Sequence, residues 1–128
     1  MNEEKLVTFN TAKLAKEKGF NVSCLWWYHL DTRNCYPLHD VNRVREKFHG
    51  KNIHAPTQSF LQKWLREKHN INVLVQESNI SDLYKCMIGK KDRRKDISTD
   101  TLYTSDYKTY EDAIEKGLYF ALDRKSVV

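Results

Sequence analysis

Residues 56–76 read Pro56-Thr57-Gln58-Ser59-Phe60-Leu61-Gln62-Lys63-Trp64-Leu65-Arg66-Glu67-Lys68-His69-Asn70-Ile71-Asn72-Val73-Leu74-Val75-Gln76, and their hydrophobic period changes partway along. Up to His69 the apolar residues Phe60, Leu61, Trp64 and Leu65 recur at helical spacing. Pro56 or Thr57 opens this helix, Lys68 and His69 put positive charge in its last turn, and Asn70 can end it. From Ile71 onward, Ile71, Val73 and Val75 alternate with Asn72, Leu74 and Gln76, the period-two pattern of a half-buried strand. A turn at Glu77–Ser81 leads to a partner at 82–89, in which Tyr84, Cys86 and Ile88 share one face.

Working outward, Thr8 to Lys18 predicts a first helix, capped by Thr8 and ended by Gly19 in a left-handed turn. Phe20 then falls where a Schellman ending places an apolar contact. Residues 24–31, Cys-Leu-Trp-Trp-Tyr-His-Leu-Asp, are rich in aromatics and predict a strand. Thr32, Arg33 and Asn34 turn the chain into a second strand at 35–39. Pro37 lacks a ladder donor and so belongs at a sheet edge. Residues 40–55 are polar and basic, with at most a helical turn or two over Asn42–Phe48. Gly89 through Asp100 predicts a charged loop, and Leu102 and Tyr103 a short fifth strand. The last helix spans about Tyr110 to Arg124, with Thr109 and Asp112 resembling a capping box. Gly117 falls within its buried face, which implies close packing against the sheet or another helix.

The expected fold is therefore α+β, a small antiparallel sheet of four to five strands with three helices in the order α-β-β-α-β-β-α. The 128 residues fit one domain. Lys16–Val22 also resembles Arg66–Val73 with one inserted residue. An internal duplication and shared helix-stop chemistry both account for that.

Hydrophobic residues make up 40% of the chain and charged residues 30%, which excludes a disordered class. No apolar stretch is long enough to span a bilayer, and Met-Asn-Glu-Glu-Lys has no apolar run behind it. The expected location is the cytoplasm of a producing or host bacterial cell. Three cysteines without a CxxC spacing fit reduced thiols. The net charge of +5 is unevenly placed: residues 41–70 carry seven Lys/Arg against two Glu, and residues 89–95 sum to +4.

Several chemistries can be weighed on the residues. Cys24, His29, Cys35 and His39 are all zinc-ligand types. Along an extended strand, however, Cys24 and His29 point to opposite faces about 16 Å apart, so no metal site is expected. No glycine-rich elbow marks a cysteine nucleophile, and Cys86 reads as a small buried hydrophobe. Most carboxylates fall at caps or exposed helical positions. Glu111, Asp112 and Glu115 suit the start of the last helix. Four scattered glycines exclude GxGxxG and Walker loops. No catalytic residue and no cofactor is expected.

Basic residues beside aromatics are the strongest functional signal. Lys90, Lys91, Arg93 and Arg94 form a compact group, and Arg43 and Arg45 begin a second. Among Trp26, Trp27 and Tyr28 at least one ring must face away from the core side, and Trp27 is the expected stacking residue. Packing of these rings under a helix or loop, beside a merely solvated basic loop, is the opposing reading.

Three blocks also carry a resemblance: Val7-Thr8 through Ala15-Lys16-Glu17-Lys18-Gly19-Phe20, Ile53 through Ile71, and Tyr110 through Leu118 with Ala121-Leu122. Together they cover about half of the chain. They resemble a family of small uncharacterised proteins of bacterial prophages and mobile elements. The resemblance implies a phage-type accessory protein that binds a nucleic acid, a nucleotide or a host factor. It assigns no catalytic residues. The expectation is a non-enzymatic binder of nucleic acid or nucleotide; the alternative is a protein–protein module that inhibits a host factor or forms a homodimer. An apolar patch rimmed by polar groups would favour a protein partner, and a basic groove holding an exposed ring would favour nucleic acid.

Overall fold

The computed structural model describes residues 5–37, 52–78, 82–92 and 97–125. The chain begins with helix α1 (Phe9–Glu17), then strands β1 (Trp26–His29), β2 (Cys35–Pro37) and β3 (Asn52–His54). Helix α2 (Gln58–His69) leads into β4 (Ile71–Glu77), β5 (Tyr84–Asp92) and β6 (Ile97–Tyr103), and helix α3 (Tyr110–Lys125) closes the sequence. The α+β class and, among the described residues, the three helices agree with the sequence pattern. The single sheet and the strand order do not: the described residues form two three-stranded antiparallel sheets, ordered β2-β1-β3 and β4-β5-β6.

The difference has two sources. Asn52-Ile53-His54 has little strand pattern of its own. It becomes β3 because Ile53 pairs with Tyr28 and His54 with Trp27. Within the region expected to be a charged loop from Gly89, residues 89–92 and 97–100 instead prolong paired strands, with Lys90 opposite Asp100 and a register shift at Lys90/Lys91. Strand preference depends on the neighbours a residue finds, and both segments find a paired edge. The expected turns over Asn42–Phe48 lie outside the described residues.

Local signals at the helix ends hold. Thr57 Oγ1 accepts from the Phe60 N–H at 3.2 Å, and Thr109 Oγ1 from the Asp112 N–H at 3.0 Å. At the end of α1, the Phe20 N–H reaches Ala15 O at 2.9 Å and the Gly19 N–H reaches Lys16 O at 3.2 Å, with Gly19 at φ 102°. That is a Schellman ending, and Phe20 packs edge-on to Trp64 at 5.1 Å. Asn70 ends α2 at φ 57°. The two helices thus stop by related chemistry, yet the sheets that follow connect differently: β1 is central in one and β5 in the other. The similar stretches therefore mark helix stops, with no repeated sheet topology behind them.

One cluster of buried side chains joins both sheets. It includes Val7 and Ala12 at the N-terminal end, Ile53 from β3, Leu61 and Leu65 from α2, Val73, Cys86 and Ile88 from the second sheet, and Leu118 and Leu122 from α3. Helix α3 lies against β4 and β5. There a Cβ on Gly117 would stand 2.1 Å from Cys86 Sγ and 2.9 Å from Val73 Cγ1. The missing side chain is what permits that approach. Among the described residues, no helix is long and apolar enough to cross a membrane.

Candidate functional site: an apolar cleft beside Trp26

Alternation along β1 sends its aromatics to two faces. Tyr28 packs on the core cluster, with its ring edge-on to Phe9 at 5.8 Å and its O–H donating to Val7 O at 2.6 Å. Trp27 points the other way. It is 2% exposed and lies against Tyr36 at 5.1 Å between ring centres. This corrects the expectation that Trp27 is the stacking ring: a buried indole cannot receive a base. The ring that β1 presents to solvent is Trp26.

Of the expected basic residues, Lys90 and Lys91 lie among the described ones. Lys90 and Lys91 belong to β5 of the other sheet, and alternation puts Lys90 on the side of Cys86 and Ile88, toward α3. Arg43, Arg45, Arg93 and Arg94 lie outside the described residues, as does His39.

Around Trp26 the structure holds a cleft of about 660 Å³. Leu6, Cys24, Leu25, Trp26, Pro56 and Phe60 form most of its lining, and among the described residues no charged side chain lines it. Leu25 is 74% exposed, Trp26 41% and Phe60 42%, so three large apolar side chains meet solvent at one place. Scattered exposed apolar residues are ordinary, but a convergent group is a mark of binding.

The cleft walls are pinned by backbone bonds. Residues 5–7 run beside 56–58: the Val7 N–H donates to Pro56 O at 3.0 Å and the Gln58 N–H to Lys5 O at 2.8 Å. On the opposite wall the Ala55 N–H donates to Trp26 O at 2.9 Å. The Cys24 N–H donates to Nδ1 of His54 at 3.3 Å. Burial, with Lys16 nearby, holds the His54 imidazolium below its ordinary pKa and keeps Nδ1 available as that acceptor. The floor, Ala55 and Pro56, is buried.

Other chemistry-bearing side chains are committed to structure. His29 is buried, and its Nδ1 accepts from the Asp31 and Thr32 N–H groups at 3.2 and 3.1 Å, fixing the β1–β2 turn. Burial pushes the Cys24 thiol up to about 11 and the Cys86 thiol to about 12, and raises Cys35 as well. These thiols stay protonated at neutral pH and are poor nucleophiles. Among the described residues, no three His, Cys, Asp or Glu side chains are grouped to hold a metal ion.

Glu115 has a role that its place near the start of α3 does not suggest. One carboxylate oxygen accepts from the Thr8 N–H at 3.0 Å, from Thr8 Oγ1 at 2.9 Å and from Thr11 Oγ1. The other accepts from Gln58 Nε2 at 3.0 Å. Glu115 thus binds the start of α1 to the start of α2. A second cavity of about 640 Å³ opens beside it, lined by Asn10, Tyr107, Asp112, Lys116 and Tyr119 among others. Both carboxylate oxygens are already engaged, which suits anchoring better than proton transfer.

A scan against protein-family models matched none, and neither a search of curated proteins nor one of solved structures returned a match.

Proposed function

We propose that this chain is a non-enzymatic binding protein whose cleft beside Trp26 receives an apolar segment of a protein partner. The observation that carries this reading is the convergence of Leu25, Trp26 and Phe60 on a cleft that has a buried floor and no charged residue among its described lining. Interface cores of this kind exclude charge and favour aromatic anchors. The protonated thiols and the saturated Glu115 carboxylate support a non-enzymatic role. In the prophage setting that the sequence resembles, the partner is a host protein that the accessory protein blocks or recruits.

The test is selection from a displayed random-peptide library on the immobilised protein, with a Leu25→Ser/Trp26→Ala variant as counter-target. The reading expects enriched peptides with aromatic or large aliphatic residues, retained by the wild type and released by the variant. No enrichment, or equal retention by the variant, would refute it. Self-association abolished by the same variant would replace the host partner with a second copy of the chain.

A further inference from the structure

The second sheet has one face under the helices and one face open. Val73, Cys86 and Ile88 point toward α3. The alternate residues Leu74, Met87 and Tyr103 are register partners and form one row across the opposite face. Leu74 is 45% exposed there and Tyr103 57%. Lys85 Nζ lies 4.9 Å from the centre of the Tyr103 ring, and Gln76 Nε2 sits 3.8 Å from Met87 Sδ. Among the described side chains of β4 and β5, Lys85 is the one charged residue that alternation directs to this face. Glu77 pairs with Tyr84, in a row that alternation directs the other way. Along the chain, β5 runs straight into a segment whose residues 89–95 sum to +4.

We propose that this open face binds a short single-stranded nucleic-acid segment, through a base on Tyr103 and a phosphate near Lys85. An antiparallel sheet with an exposed ring offers a base its π-face, and the amides of Gln76 and Asn72 lie in the flanking rows to meet base edges. Duplex bases are already stacked and paired, so the face discriminates in favour of single strands. Charge complementarity decides between a nucleic acid and an apolar protein surface: among its described side chains the face carries a cation over its ring and no carboxylate. This site is separate from the cleft, and either can stand without the other.

The experiment is fluorescence anisotropy with labelled oligothymidylate, oligouridylate and a duplex, across a salt series. The variants are Tyr103→Ala, Tyr103→Phe and Lys85→Gln, with folding checked by circular dichroism. Single strands should bind more tightly than the duplex. Tyr103→Ala should weaken binding roughly five- to a hundred-fold, the range for loss of one stacked base, and Tyr103→Phe should restore most of it. Lys85→Gln should lower the salt slope by about one. No binding at low salt, or binding that Tyr103→Ala leaves unchanged, would overturn the proposal. Equal binding of duplex and single strand would do the same, since it marks charge attraction without base recognition. Amide shift mapping gives an independent readout: perturbations must fall on Leu74, Met87 and Tyr103.

Discussion

The two sheets are built alike and finished differently. Each has three antiparallel strands, and each contributes one face to the shared core. In the first sheet the other face is also filled, by Trp27, Tyr36 and His29, and the proposed binding site lies at the rim, where Trp26 and the 23–25 segment border the cleft. In the second sheet the other face stays open and offers a row across all three strands. Filling both faces leaves a recess at an end, and filling one leaves a plane. The recess suits an inserted apolar side chain, and the plane suits a flat ring.

The sharpest way to break this comparison is to truncate neighbouring tryptophans. Trp27→Ala should cost about 3–5 kcal/mol of stability, the range for a buried aromatic, read from denaturant unfolding. Trp26→Ala should cost far less stability but remove at least about 2 kcal/mol of peptide affinity, roughly thirty-fold. If the two variants behave alike in both assays, the division between core and rim is wrong.

The next effect concerns how closely α3 lies on the second sheet. Gly117→Ala should destabilise by about 1–3 kcal/mol through overpacking, despite the helix preference for alanine. The cost should shrink in a Cys86→Ala background, because the nearest clash is with Cys86 Sγ. A similar loss is expected for Glu115→Ala, about 1–3 kcal/mol, since it leaves Gln58 Nε2 and Thr11 Oγ1 without the carboxylate they share. Glu115→Gln should lose less, because one carbonyl oxygen remains to accept.

The smallest effect separates the sheets by pH. His54 in the folded chain titrates below its ordinary value of 6.5, so over that window the unfolded chain binds a proton that the folded one refuses. The stability held by neutral His54 is complete above 6.5 and is lost progressively as pH falls through that value toward the folded pKa. Protonation at Nδ1 also takes the acceptor from the Cys24 N–H, so peptide affinity at the cleft should fall with it. His54→Gln should flatten this acid loss in unfolding midpoints while leaving the second sheet's face unaffected.

How much of this was legible varied with the range of the interaction. The caps at Thr57 and Thr109, the Gly19-Phe20 ending and the tight approach at Gly117 are set by neighbours within a few residues or by one absent side chain. The sequence pattern therefore contains them. Strand β3 is a tertiary product: Asn52-Ile53-His54 becomes a strand by pairing with β1. The fate of the tryptophans follows from the same pairing. Alternation requires Trp26 and Trp27 to face opposite ways but does not say which face is covered. Glu115 left one faint sign. Thr8 caps α1 with threonine, not glutamate or glutamine, at the third helical position, and α1 has no acid in its first turn. The backbone donor that such a residue would take goes to Glu115 from α3. An incomplete capping box is thus a prompt to seek the missing carboxylate elsewhere in the chain.

The most direct test of the cleft assignment is a backbone amide shift titration with a library-selected peptide. The account predicts perturbations at Ser23–Trp26 and Ala55–Phe60, with Leu74, Met87 and Tyr103 silent. Shifts centred on the second sheet's open face, or none at the cleft under saturating peptide, would contradict it.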